Sequence, residues 1–471
     1  MNVVCIGSGY VGTVTGAAFA ALGHRTTLLD IDERRIGLLA SGISPIYEPG
    51  LDHLLTACIG QTLFATTDYE AVRQAEVVFI AVGTPSRPDG TAELKNIKLA
   101  AEGIGKHLNP SSYTVVVNKS TVPVGTADLV SSIIQESSGL TPDVHYSVVS
   151  NPEFLREGYA LEDVFFPDRI VIGSPCEKAN AVMRSLYRRL MDRANYDELS
   201  KHFLFEHRLH SKLPSYFETD IKSAEMIKYA SNAFLAVKIS YINEIARLCE
   251  SLGANVTSVA SGMGLDSRIG NKFLQVSSGW SGSCFPKDMA ELLATGRKYD
   301  CELSVVAAAI QSNGYMHKYV IDRIKQKLKS LNGKKIGVLG LTFKPNTDDA
   351  RHTQASYVIR ELLDVGARVK AHDPQGMSMF KSLNAQMEVE YCNDAHQVAA
   401  GADALILLTH WDEYSALRWK DVLAAMRKPF VFDTRNYLDA SELHRLGFDY
   451  EGIGIGSPDI SKESDKLAIT Y

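Results

Sequence analysis

The sequence has no apolar run long enough to cross a membrane: its most hydrophobic stretches, such as residues 404–408, fall far short of the ~20 residues a spanning helix needs. It has no C-x-x-C pair either. Its seven cysteines, Cys5, Cys58, Cys176, Cys249, Cys284, Cys301 and Cys392, are odd in number and scattered. That argues against a disulfide scaffold and a zinc site, and for reduced thiols in a cytoplasmic protein with no metal expected. Nor is there an excess of one charge. The 49 basic and 55 acidic residues leave a net −6, so bulk electrostatics favour neither nucleic acid nor an anionic membrane as partner. No basic stretch or cleavage site precedes the first apolar run, Val3-Val4-Cys5-Ile6, so no secretory leader is expected. What remains is an ordinary composition over 471 residues, 45% of them hydrophobic. That is enough for two or three domains with cores of their own.

Residues 1–215 alternate short β-branched runs with helical patterns, which predicts a parallel sheet covered by helices. Strands are expected at 2–6, 26–29, 77–82, 113–117, 146–149 and 170–172. Residues 220–252 keep a helical period without Gly or Pro and predict one helix of ~45–50 Å. That is too long for one small domain and suited to joining two. A second alternation starts at Lys335 and runs through 368–371, 404–408 and 430–432. The expected fold is therefore α/β, with two Rossmann-like doubly wound domains joined by a long central helix. Its divisions fall at 1–215, 216–330 and 331–471. Residues 192–212, with His202, His207 and His210, match no strand–helix pattern and read as a solvated surface insertion rather than a metal site. The polar residues 457–471 are expected to fray.

Gly7-Ser8-Gly9-Tyr10-Val11-Gly12 follows a strand and opens a helix, where glycines permit a tight turn and close approach of a pyrophosphate to the helix N-terminus. Asp30 ends the next strand, placed to accept from adenosine ribose hydroxyls and to repel a 2′-phosphate. NAD is therefore the expected cofactor, although Arg35 nearby is a residue that can welcome that phosphate. Thr84, Ser120 and Thr121 sit where later strands should end, as hydroxyl donors beside a nicotinamide or as plain turn residues. In Gly279-Trp-Ser-Gly-Ser-Cys-Phe-Pro-Lys-Asp288, Cys284 lies in a loop of small residues with Lys287 and Asp288 close behind. An ammonium there lowers a thiol's pKa and a carboxylate steers a water; an inert buried cysteine is the competing reading. Lys228 and Asn232, one helical turn apart, could steady an oxyanion or simply form a polar face. Glu153 and Glu157 follow a strand, as a general base or as acids in a first helical turn.

Together these motifs make the chain resemble the UDP-glucose 6-dehydrogenase family of nucleotide-sugar dehydrogenases. The likeness runs through Tyr47-Glu-Pro-Gly-Leu, Ser120-Thr-Val-Pro, Asn151-Pro-Glu-Phe-Leu-Arg-Glu, Glu225-Met-Ile-Lys-Tyr-Ala-Ser-Asn, Phe343-Lys-Pro-Asn-Thr-Asp-Asp-Ala-Arg351 and Phe432-Asp-Thr-Arg435. The resemblance implies oxidation of a sugar's C6 alcohol to a carboxylate, with Cys284 as the nucleophile that captures the aldehyde. Lys228 and Asn232 would steady the oxyanion, Glu153 would be the base for thioester hydrolysis, and Thr121 and Asp288 would place the water. It implies NAD contacts from Gly7, Gly9, Tyr10, Val11, Gly12, Asp30, Arg35, Thr84, Ser120, Thr121, Glu157, Lys287 and Arg351. Glu153, Phe154, Leu155, Arg156, Glu157, Lys228 and Asn232 would touch the sugar nucleotide. So would Phe273, Leu274, Gln275, Val276, Ser277 and Gly282, with Phe343, Lys344 and Arg435 from the last domain. Arg268 matches an arginine that reaches the sugar from a neighbouring subunit, which implies at least a homodimer with UDP-glucose as small-molecule partner. Ser281 stands where relatives often have Gly, and Gln275 where some have Lys.

Two other activities are weighed against this. A two-electron hydroxyacid dehydrogenase would need neither Cys284 nor a second nucleotide-sized domain, and a non-catalytic NAD-binding regulator would tolerate loss of Cys284 or Lys228. Within the relatives, Asn151-Pro-Glu-Phe-Leu-Arg-Glu is shared with GDP-mannose dehydrogenases, while Arg268-Ile-Gly-Asn-Lys-Phe-Leu274 looks closer to the UDP-glucose type.

Overall fold

The computed structural model describes residues 1–194, 196–199 and 211–455. Both the insertion with His202, His207 and His210 (apart from its ends) and the polar stretch 457–471 lie outside the described residues. The chain divides into two compact units: one from residues 1–231 and 290–300, the other from 232–289 and 301 onward.

In the first unit the strands are β1 (Asn2–Ile6), β2 (Arg25–Leu29), β3 (Leu63–Thr66), β4 (Val77–Ile80), β5 (Thr114–Asn118), β6 (Tyr146–Ser150), β7 (Arg169–Gly173) and β8 (Ser215–Thr219). They pair in the order β3-β2-β1-β4-β5-β6-β7-β8, parallel except where β6 meets β7. The order reverses between β1 and β4, and ligands bind beyond the carboxyl ends of such strands. Strands β4, β5 and β6 are buried at every position, as expected of strands with helices on both faces.

The second unit repeats the plan with β9 (Lys335–Leu339), β10 (Arg368–His372), β11 (Val389–Tyr391), β12 (Ala404–Leu407), β13 (Phe430–Asp433) and β14 (Asp449–Gly452), ordered β11-β10-β9-β12-β13-β14. Four strands escaped the sequence reading: β3, β8, β11 and β14. Each is a sheet edge and incompletely covered; β8, β11 and β14 mix polar with apolar residues, and β3 is only four residues long, so none shows the longer apolar run that marks an inner strand.

The helix Ile221–Leu252 runs unbroken for 32 residues, about 48 Å at 1.5 Å per residue. Asp220 caps it, accepting from the Ser223 N–H at 2.9 Å. The chain passes from one unit to the other within this helix, between Ser231 and Asn232. Among the described residues no helix is long and apolar enough to cross a membrane.

Candidate active site and nucleotide sites

The turn after β1 is shaped for a dinucleotide. Gly7 has φ +100°, and a Cβ there would meet Ala81 O at 2.6 Å; a Cβ on Gly12 would strike Gly7 O at 1.8 Å. Gly9 is different: nothing lies within 4 Å of its would-be Cβ. It starts the helix Tyr10–Ala21 with no side-chain cap. Open space over uncapped helix amides is what a pyrophosphate needs. The Tyr10 hydroxyl donates to Tyr47 O at 2.7 Å, and Val11 follows on the same first turn. Asp30 Oδ2 accepts from the Ser8 amide at 2.6 Å and the Ser8 hydroxyl at 2.7 Å. Burial works to raise the Asp30 carboxyl, but the Ser8 and Asp32 donors outweigh it and hold it below the usual carboxylate range. Arg35 leans on Asp32 at 3.6 Å. These residues fit NAD. Thr84 and Ser120 spend their hydroxyl protons on the protein, Thr84 on Thr121 O (2.9 Å) and Ser120 on Val82 O (2.7 Å). They fix the loop after β5.

Beyond β6 the chain brings Glu153 to Lys228. Lys228 Nζ lies 2.8 Å from Glu153 Oε1, both side chains buried, and the Leu155 amide donates to Glu153 Oε2 at 2.5 Å. Burial pushes the Glu153 carboxyl up; the Lys228 ammonium beside it more than reverses that and holds it ionised. Lys119, buried, donates to Asn151 Oδ1 at 3.1 Å, and burial lowers its ammonium to about 8 despite the attraction of Glu153. Phe154 sits under the Arg169 guanidinium at 3.9 Å. Arg156 is tied bidentately to Asp163, and Glu157 follows on the same loop.

The second unit holds the cysteine. Cys284 is exposed, and the Asp288 N–H donates to its carbonyl at 2.9 Å, so the thiol sits where the helix Phe285–Lys298 begins. One turn on, the buried Asp288 carboxylate accepts from the Asn232 amide at 2.6 Å and from Lys287 Nζ at 2.6 Å. Asn232 thus commits one N–H to Asp288, and Lys287 serves that carboxylate. Gly282, at φ +85°, packs against Phe343: a Cβ would meet the ring at 2.8 Å. In the segment 273–277, Leu274 and Val276 turn into the hydrophobic core and Ser277 is buried, leaving Phe273 and Gln275 more open. Arg268 stands at the surface, 87% exposed, paired with Asp266 at 2.6 Å.

At the carboxyl ends of β9 and β13, Arg435 Nε donates to Leu408 O at 2.8 Å and its Nη2 lies 3.5 Å from Phe343 O; Lys344 Nζ stands 5.3 Å from the Phe343 ring centre. Burial lowers the Arg435 guanidinium to about 10, against the pull of Asp433. Arg351 grips Asp349 through Nε and Nη2. Asp373 ends β10 as Asp30 ends β2, but it is fully buried, accepting from the Leu341 and Thr342 amides and the Trp411 indole. With its acid so committed and no G-x-G-x-x-G after β9, this sheet end lacks the dinucleotide turn of the first unit. It suits a ligand read by Arg and Lys.

Sequence reasoning missed three buried charges at these sites: Lys119, Glu48 and Glu225. Glu48 accepts from the Gly158 and Ala160 amides at 2.6 and 2.7 Å. Glu225 accepts from the Gly125 and Ala127 amides, and burial pushes its carboxyl up to about 7 against those bonds. The partners of Glu48 and Glu225 lie about a hundred residues away along the chain, and that of Lys119 lies 32 away, which no local spacing reveals.

Two doubly wound sheets, one with a complete dinucleotide turn and the other with a basic crevice, joined by a helix bearing a buried lysine, define a nucleotide-dependent dehydrogenase. Residues 1–191, 222–315 and 337–440 match the NAD binding, central and UDP binding domains of the UDP-glucose/GDP-mannose dehydrogenase family. The chain is 44% identical over 460 residues (96% of the chain, 99% of the relative) to the UDP-glucose 6-dehydrogenase of Rhizobium meliloti (strain 1021). It is 41% identical over 467 residues (99% and 95%) to UDP-glucose 6-dehydrogenase TuaD of Bacillus subtilis (strain 168). A solved UDP-glucose dehydrogenase from the hyperthermophilic archaeon Pyrobaculum islandicum superposes with TM-score 0.84 at 36% identity, covering 97% of this chain and 98% of that one. The protein belongs to the UDP-glucose/GDP-mannose dehydrogenase family and is an NAD-dependent oxidoreductase.

Proposed function

We propose that the protein oxidises UDP-glucose to UDP-glucuronate in two two-electron steps through a covalent adduct on Cys284. The observation that carries this is the exposed Cys284 thiol at the start of a helix whose next turn holds a buried Asp288 bound to Asn232. A two-electron dehydrogenase has no use for that arrangement. The names of the relatives support the sugar nucleotide, and the family's UDP binding domain supports the second crevice as its site.

Turning –CH2OH into –COO⁻ removes four electrons. NAD, when bound, accepts a hydride, and two are needed per sugar. Between the transfers the aldehyde must be kept from escaping, and the Cys284 sulfur does so by adding to the carbonyl carbon to give a thiohemiacetal. That adduct is itself an alcohol, and loss of a hydride and a proton from it leaves a thioester. Water then cleaves the C–S bond, releasing the acid and the thiol. Lys228 and Asn232 stabilise oxyanions along this path. Glu153, ionised beside Lys228, takes the proton of the attacking water, which Thr121 and Asp288 orient. Glu157, Lys287 and Arg351 add contacts to cofactor and sugar, and the functional divisions are 1–215, 216–330 and 331–471.

A homo-oligomer in the cytoplasm is part of the same proposal. On the helix Ile221–Leu252, Phe234, Tyr241 and Leu248 recur every seventh residue, and all three are exposed. An apolar stripe of this kind suits a second copy of the chain, and Arg268 then reaches the partner's sugar. The test is to incubate the protein with NAD and, separately, UDP-glucose, GDP-mannose and UDP-N-acetylmannosamine, counting NADH per sugar consumed. Two NADH with UDP-glucose is expected; one NADH, or preference for another sugar, overturns the assignment.

A further inference from the structure

We propose that Glu225 is a positioning residue for the dehydrogenase reaction: its carboxylate holds the loop that carries Thr121 against the helix that carries Lys228. Glu225 and Lys228 are three residues apart on the helix Ile221–Leu252 and so share a face. The buried carboxylate accepts from the Gly125 N–H at 2.7 Å, the Ala127 N–H at 3.0 Å and the Ser150 hydroxyl at 3.3 Å. The helix Thr126–Ser138 starts on Gly125, which sits at φ +94° and has no side chain to cap it. Glu225 supplies the missing acceptors from another element, at the positive end of the helix, where an anion binds best.

The near end of the same loop is fastened to the sheet. Thr84 donates to Thr121 O and Ser120 to Val82 O. Glu225 fastens the far end, so Thr121 lies between two anchors. Asn118, Ser120, Thr121, Ser150, Glu225 and Lys228 all line one small cavity, so the loop, the end of β6 and the helix meet where Glu225 makes its bonds. A shift of about 1 Å in a group that places a reactant costs on the order of a hundredfold in rate. The inference rests on Thr121 and Lys228 serving the reaction as proposed above.

The test compares full-length Glu225→Gln, Glu225→Asp and Glu225→Ala with the parent, by hydrogen exchange at the amides of 125 and 127 and by steady-state kinetics with NAD and UDP-glucose. Gln keeps the volume but turns an N–H2 toward a backbone N–H; Asp keeps the charge but falls a methylene short. Exchange at both amides should quicken in all three. In Glu225→Ala, kcat should fall about a hundredfold, and less in Glu225→Gln. Both KM values should stay within about twofold, the pattern of an interaction needed only at the chemical step. If the Ala variant does not fold, Gln and Asp carry the comparison. Unchanged exchange would show that the carboxylate does not hold the loop. Faster exchange with full kcat, or KM values that rise as kcat falls, would show that the clamp does not position the chemistry. Lys228→Met is assayed alongside: if it keeps parental kcat, the mechanism itself fails, independently of what Glu225 does.

Discussion

Lys228 and Glu153 are each other's buried counter-ion, 2.8 Å apart and almost fully withdrawn from solvent. Removing one partner strands the other charge, which costs about 3–5 kcal/mol, whereas replacing both with apolar groups is close to neutral. Lys228→Met should therefore melt well below the parent, and Lys228→Met/Glu153→Leu should recover most of the loss while staying inactive. The pH dependence has a definite sign. The folded carboxyl is held below its unfolded value, so the pair's contribution is present at neutral pH and is lost as pH falls below the carboxylate range. Thermal melts from pH 7 to pH 3 check it; a double variant no more stable than Lys228→Met would refute the pairing as the source.

Cofactor choice is predicted to rest on Asp30, whose carboxylate follows β2 and is held ionised by Ser8. Asp30→Gly should narrow the preference for NAD over NADP in kcat/KM, because the charge that repels a 2′-phosphate is gone. Unchanged discrimination would mean that Asp30 does not face the ribose.

Burial opposes the charge on Lys119, so its ammonium is predicted to cost stability at neutral pH. Burial lowers its folded pKa to about 8 from 10.5. Below pH 8 both states hold the proton and the full cost of burial is felt. Between 8 and 10.5 the unfolded chain holds more protons, so stability rises with pH there. Lys119→Met should melt higher than the parent at pH 7, and the gap should narrow as pH rises toward 10. A variant that melts lower at pH 7 would contradict this.

Arg268 is predicted to act on the neighbouring subunit's sugar. Among the described residues of its own chain it pairs with Asp266 at the surface. Mixed dimers of Arg268→Ala and Cys284→Ala chains should regain one working site from two inactive parents. No recovery, under conditions where subunits demonstrably exchange, would end the shared-site idea.

How much of this was legible in the sequence depended on distance along the chain. Gly7, Gly9, Gly12 and Asp30 form one contiguous strand–turn–helix–strand unit, so their pattern carried the cofactor site. The inner strands β4, β5 and β6 were readable because both faces are buried and each carries a run of apolar residues. The edge strands were not, since half of each faces outward. The resting ties of the catalytic candidates were also hidden. Helical spacing put Lys228 beside Asn232, but Lys228 is held by Glu153 and Asn232 by Asp288, partners that only the folded chain supplies. The same holds for Ser120 and Thr84, whose hydroxyls donate to carbonyls that only the folded chain brings near.

The central claim is that the acid leaves from a thioester on Cys284, and the most direct test is the mass of that peptide. Glu153→Gln removes the base that activates water but leaves the thiol and both hydride steps intact. Mixed with NAD and UDP-glucose and quenched in acid, it should release two NADH per site and carry the UDP-glucuronyl group on the Cys284 peptide. An unmodified Cys284 peptide after both NADH have formed would contradict the covalent route.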